Sequence, residues 1–188
     1  MSSNWINLKG TISWAKVYEP DEPSFGDKRW KVSFYPMNDD EWAIFDKSGM
    51  QMEKKEDQDG KKFVTFRRAC KKLFPKDDEA TFFNPPEITG AVNVSYVNPD
   101  NNEKVRSYKK SEIKNIKIVG EQTEIGNGSV CIVNLCVYDG GKGKGHRLES
   151  INVLDLVEYK RERQQAVEEK VEAKSSKLKD DLNDELPF

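Results

Sequence analysis

The stretch Trp5-Ile6-Asn7-Leu8-Lys9-Gly10-Thr11-Ile12-Ser13-Trp14-Ala15-Lys16-Val17-Tyr18 decides the fold class. Ile6, Leu8, Ile12 and Trp14 share one parity, and Asn7, Lys9, Thr11 and Ser13 share the other. Successive side chains of a strand point to opposite faces, so this pattern reads as a half-buried strand. Gly10 in its middle predicts a bulge or a sharp bend.

The same period recurs outward from there. Residues 28–35 separate Trp30, Val32 and Phe34 from Arg29, Lys31, Ser33 and Tyr35, giving one apolar face and one cationic face with an aromatic ring. Asn38 predicts a helix N-cap, and Glu41 three residues later completes a capping-box pattern ahead of Trp42, Ile44 and Phe45. That helix is expected over residues 39–52. After a turn at 57–60, residues 61–70 read as a third strand, with Phe63, Thr65 and Arg67 on one face and Val64, Phe66 and Arg68 on the other. Residues 91–97, 105–108, 130–138 and 148–159 are further strands. Six or seven strands and one helix predict a mainly β chain folded as a small, closed or nearly closed antiparallel barrel. The barrel domain covers residues 1–160, a charged linker or partly helical arm 161–179, and an acidic tip 180–188.

Composition narrows the function. A body of roughly 150 residues buries about two-thirds of its unfolded surface, so it folds without staples. Residues 1–160 hold 25 basic and 25 acidic side chains, so a polyanion site has to come from local patterning. Cys70, Cys131 and Cys136 lack C-x-x-C spacing and His146 is the single histidine, which argues against a zinc site or a disulfide framework. The cysteines read as small core residues in a reducing compartment. With no basic-plus-apolar leader and no long apolar run, a soluble cytoplasmic protein without membrane contact is expected.

Catalysis is hard to build from these residues. One histidine and no G-x-S-x-G or Cys-His signature leave a nucleophile without its usual base. The carboxylates Asp39-Asp40-Glu41, Asp77-Asp78-Glu79 and Asp180-Asp181 lie in helix-start, loop and tail contexts that read as solvated surface. The loop at 140–146 is rich in glycine and lysine but lacks the Lys-Ser/Thr of a phosphate-binding loop. The expectation is a binding protein with no catalytic residue, cofactor or metal.

Residues 61–76 hold seven cations and no anion, interleaved with Phe63, Phe66 and Phe74. A second basic cluster surrounds Tyr108 and is opposed by Glu112 alone. Single-stranded nucleic acid is held by cations that follow phosphates and by aromatic faces on which bases stack. The candidate DNA-binding set is therefore Arg29, Lys31, Tyr35, Lys61, Phe63, Arg67, Arg68, Lys71, Lys72, Tyr108, Lys109, Lys110, Lys142, Lys144 and Arg147. Trp14, Trp30, Phe34 and Trp42 sit on apolar parities and are expected in the core, whereas Tyr35, Phe63 and Tyr108 are open to either role. The glycines around Lys142 and Lys144 allow close approach to a phosphate backbone or simply connect two strands.

The last nine residues place the carboxylates of Asp180, Asp181, Asp184 and Glu185 before the apolar Leu186-Pro187-Phe188. That combination reads as a charged tether with a hydrophobic anchor for a protein partner, or as a solubilising acidic end.

The segments 25–34 (FGDKRWKVSF), 63–70 (FVTFRRAC), 125–130 (IGNGSV) continuing through Val137 and Tyr138, and 148–153 (LESINV) together resemble the phage-encoded single-stranded DNA-binding proteins of the OB-fold type, in particular those of short-tailed phages. The resemblance implies an OB barrel with a helix inserted after an early strand, homodimers, and sequence-nonspecific coating of single-stranded DNA in replication and recombination, within the host bacterial cytoplasm. The ending Asp184 to Phe188 resembles that of bacterial single-stranded DNA-binding proteins, which implies recruitment of a polymerase, helicase-primase or nuclease. A further expectation is that its carboxylates compete with DNA for the groove. A protein-interaction adaptor and a duplex-binding regulator are the alternative readings.

Overall fold

The computed structural model describes residues 3–24, 26–113, 115–141 and 143–159. Residues 1–158 form one compact unit. The expected arm and acidic tip, and Lys142, lie outside the described residues.

The described chain is mainly β. It runs through β1 (Ser3–Asp21), β2 (Arg29–Pro36), α1 (Asp39–Ser48), β3 (Lys55–Glu56), β4 (Lys62–Ala69), β5 (Lys71–Lys72), β6 (Thr81–Phe83), β7 (Glu87–Gly90), β8 (Val94–Val97), β9 (Ser107–Tyr108), β10 (Lys117–Gly120), β11 (Ser129–Gly140) and β12 (Gly143–Asp155). Several of these are strands of two to four residues, which is why the alternation pattern shows fewer. Nine strands form one sheet in the order β10-β8-β7-β12-β11-β1-β2-β4-β3, and β5-β6-β9 form a second. Neighbours in the large sheet are antiparallel except β12 and β7, which pair in parallel from Ser150↔Glu87 to Val153↔Gly90.

The core lies where alternation puts it. Leu8, Ile12, Val32, Phe34, Val64, Phe66, Val133, Leu135, Leu148 and Ile151 are fully buried. Burying each such side chain is worth about 1.5–3 kcal/mol, so these strands carry the bulk of the driving force. Phe34, Phe66 and Phe45 pack in series as tilted rings, with centroids 5.4 and 6.4 Å apart, and thereby dock α1 on the sheet.

Local details depart from the sequence reading at informative places. Gly10 keeps regular register with both Cys131 and Pro36 and makes no bulge. A Cβ there would lie 2.2 Å from the Tyr35 carbonyl oxygen and 2.7 Å from the Phe34 ring, so glycine permits a close strand crossing. Asn38 caps α1 as expected, accepting from Glu41 N–H. Glu41 directs its own carboxylate to the Lys9 N–H at 2.9 Å, stapling the helix start to β1. The helix stops at Ser48, short of residue 52, because Gly49 turns left-handed with φ 74° and closes on the Asp46 carbonyl. Trp14, expected in the core, is 69% exposed. No helix among the described residues is long and apolar enough to cross a membrane.

Candidate nucleic-acid interface

The outward face of β1, β2 and β4 orders its side chains into rows: β2 and β4 pair in unbroken register, and β1 pairs with β2 on either side of a shift between Ser13 and Lys16. Lys16 pairs with Lys31 and Lys31 with Arg67, a row of cations across three strands. The next row is Ser13, Ser33 and Thr65, small hydroxyl side chains. Then comes Tyr35 beside Thr11, with its ring stacked on Phe63 at 5.1 Å between centroids and 28° between planes. Rows on one face of a strand are about 7 Å apart, so cations, a low polar floor and an aromatic platform follow one another along a shallow track. At its cationic end Arg29 opposes Ala69, and Asp21 holds the Lys31 ammonium at 2.7 Å. Burial first, and then the charge and hydrogen bond of Asp57, push the Tyr35 phenol above its ordinary pKa, which keeps that ring neutral.

Arg68 is not on this face. Its parity turns it inward, where the residue is 3% exposed. The guanidinium donates to Glu149 at 2.9 Å and to the carbonyls of Asn84, Leu148 and Arg106 at 2.6, 3.1 and 2.9 Å. A buried charge persists when its donors find partners, and here four bonds come from three separate stretches of chain, at Asn84, Arg106 and Leu148–Glu149. Burial pulls the Arg68 pKa down and the Glu149 carboxylate opposes that pull. Arg147, also a candidate, pairs with the same Glu149 and lies 5.8 Å from the Phe83 ring. One residue toward the start of β4, the Arg67 N–H donates to His146 Nε2 at 3.0 Å. Burial, reinforced by the Arg67 charge, drops the His146 pKa to about 4, so the imidazole is a neutral acceptor at physiological pH. β4 and β12 are thus tied together by an uncharged bond at His146 and an ionic one at Glu149.

Lys71, Lys72, Tyr108, Lys109 and Lys110 lie on or beside β5, β6 and β9. Cys70 links this small sheet to the large one, donating to the Lys28 carbonyl at 3.2 Å and accepting from the Phe83 N–H at 2.8 Å. Tyr108 stacks on Phe82 at 5.7 Å, and Lys110 lies over Phe82 at 4.9 Å. Lys71 pairs with Phe82 across the ladder, while Lys72 sits over Phe74 at 4.9 Å. Lys109 is held by Asp77 at 3.3 Å, and Glu79 accepts from the Ser111 N–H at 3.2 Å. The fold therefore brings the 77–79 carboxylates up to a cluster that in sequence faces Glu112 alone. Lys61 is exposed in the turn before β4, its N–H bonded to Asp57 at 2.9 Å. Lys144 is exposed on β12 and lies against Gly49 at the C-terminal end of α1.

The sequence assigns no site role to the hydroxyl row, Phe82 or Glu149, and it places Trp14 in the core rather than in solvent. The parity of β1 carries a signal for the last, since Ile12 and Val17 are both buried yet five residues apart. The described residues hold no cluster of three or more His, Cys, Asp or Glu side chains able to grip a metal. No family model matches the chain, nor does any curated protein or solved structure.

Proposed function

We propose that this chain binds single-stranded DNA without reading its sequence, coating it during phage replication and recombination, with no catalytic step of its own. The observation that carries this reading is the ordered track on β1, β2 and β4, where the Lys16–Lys31–Arg67 row and the Tyr35–Phe63 stack flank a floor of small hydroxyls. A track of that kind serves a linear polyanion whose bases are free to stack, and its cations contact backbone, which every sequence shares. The finer fold assignment belongs to the same reading. β1, β2, β4, β11 and β12 supply the five strands of an OB barrel, with the Arg67–His146 and Arg68–Glu149 bonds at its β4–β12 seam. The acidic, Phe-containing segment 180–188 recruits replication enzymes in this scheme.

The test is a titration with oligo(dT) followed by intrinsic fluorescence at several salt concentrations. Affinity should fall by roughly 0.7 log unit per log unit of salt for each phosphate neutralised. Duplex of the same length should compete poorly. Binding that ignores salt, or equal competition by duplex, overturns the proposal.

A further inference from the structure

Trp14 sits in a backbone conformation that tryptophan avoids. Among the described residues, the non-glycine positions with positive φ are Trp14 at 54° and Asn102 at 57°. Asparagine visits this region routinely because its short polar side chain bonds locally, whereas a bulky side chain there is strained. The ring is also 69% exposed, more than any other large apolar side chain in the described chain. One residue thus carries two local penalties, strained backbone and an unburied indole.

The cause is a bulge. Pairing of β1 with β2 is regular through Ser13↔Ser33, shifts, and resumes at Lys16↔Lys31. Ile12 enters the shift buried, Ala15 packs against the core within it, and Val17 leaves it buried. The inserted residue takes Trp14 off the inward parity and delivers it to solvent. The distortion is held from outside the strand. Trp14 N–H donates to the Asn127 side-chain oxygen at 2.8 Å, and Gly128 N–H donates to the Ile12 carbonyl at 2.9 Å. Bulges commonly re-aim a side chain beside a functional site. Here the bulge falls between the hydroxyl row and the cation row of the track.

We infer that Trp14 is a base-stacking residue of the interface, presented by this bulge. The inference rests on the single-stranded DNA reading and extends it: the indole supports a base at β1 while Lys16 and Lys31 meet neighbouring phosphates, continuing the aromatic support that Tyr35 and Phe63 give at the far end of the rows. Every base has a π face, so such a platform is indifferent to sequence.

The test compares full-length wild type with Trp14→Gly, Trp14→Phe and Trp14→Leu, measuring oligo(dT) affinity, fluorescence quenching and Tm. Glycine accepts the left-handed backbone, so Trp14→Gly should raise Tm by a few degrees while weakening oligo(dT) binding roughly five- to hundredfold. Trp14→Phe keeps a π face and should bind within about threefold of wild type while losing much of the quenching. Trp14→Leu, apolar but without a π face, should bind as poorly as the glycine variant. Glycine-variant affinity within about twofold of wild type overturns the assignment. So does full affinity in Trp14→Leu, the pattern of an apolar protein-docking contact, and so does a lower Tm in the glycine variant, the mark of a structural role. If wild type itself shows no salt-dependent binding to oligo(dT), the broader reading falls; if wild type binds and the glycine variant matches it, the role of Trp14 alone falls.

Discussion

Two patches of aromatic and cationic side chains adjoin at Cys70, and they are built differently. On β1, β2 and β4, strands of eight or more residues hold Lys16, Lys31 and Arg67 in one row and present the Tyr35–Phe63 stack two rows away. On β5, β6 and β9, each pairing spans two residues, Lys110 lies on Phe82, Lys72 lies on Phe74, and Asp77 holds Lys109. Composition is similar in the two patches. Each has a paired ring stack and a lysine held by an aspartate, Lys31 by Asp21 and Lys109 by Asp77; the difference is that lysines lie over the Phe82 and Phe74 rings, whereas among the described residues no cation lies over Tyr35 or Phe63. A ring already covered by a lysine must lose that contact before a base stacks on it, so the second patch should contribute less affinity per aromatic residue.

The sharpest way to break the comparison is to cut the bond that joins the two regions. Arg68 ties β4 to Glu149 on β12 and to the Asn84 and Arg106 carbonyls that flank the small sheet. Arg68→Ala leaves Glu149 buried with a single partner, Arg147, and should cost about 3–5 kcal/mol in a denaturant titration. Arg68→Ala combined with Glu149→Ala should cost less than the single change, since the stranded charge is gone. A loss under about 1 kcal/mol for the single variant would show that the two sheets hold together without this knot.

The His146 bond at the other point of the seam responds to pH. Its folded pKa of about 4 lies below the ordinary 6.5, so the unfolded chain binds more protons between those values. Stability from this group is complete above about pH 6.5 and is lost as the pH falls toward 4, by about 3 kcal/mol over the window. His146→Gln keeps an acceptor for the Arg67 N–H without titrating. The stability difference between wild type and this variant should change over that pH interval and level off above it; a constant difference across pH would remove the histidine from the seam's energetics.

The smallest effect compares the patches directly. Phe63→Ala should weaken oligo(dT) binding by about 1–3 kcal/mol, the usual loss of one stacked base. Phe82→Ala should cost under about 1 kcal/mol, because part of its stacking capacity is already taken by Lys110. Equal losses would mean that both patches face the ligand alike.

Much of the track is legible in residue parity. Arg29, Lys31 and Tyr35 alternate with Trp30, Val32 and Phe34, and Phe63 and Arg67 alternate with Val64 and Phe66, so the outward sets follow once the strands are recognised. Asn38 announces the helix start for a similarly local reason, since its side chain caps an N–H three residues away. Arg68 follows the parity rule too, and its inward position is already implied by its place with Val64 and Phe66. A run of seven cations obscures this, because linear charge density does not record which face each residue occupies. Trp14 fails for the opposite reason: alternation assigns it to the core, and a single inserted residue reverses the assignment.

The amino-acid sequence by itself determined the mainly β character of the described residues, the helix that starts at Asp39 and its cap, and the two-sided strands whose polar faces carry cations and rings. Those properties depend on neighbours a few residues apart. Tertiary structure alone decided that β7 lies parallel to β12, that Glu149 closes over Arg68, that Asp77 reaches Lys109, and that Asn127 holds Trp14 in a strained turn toward solvent. The partners in these last four contacts lie between 32 and 113 residues apart in the chain. Pairing at that distance is selected by how whole faces bury together, which no local period records.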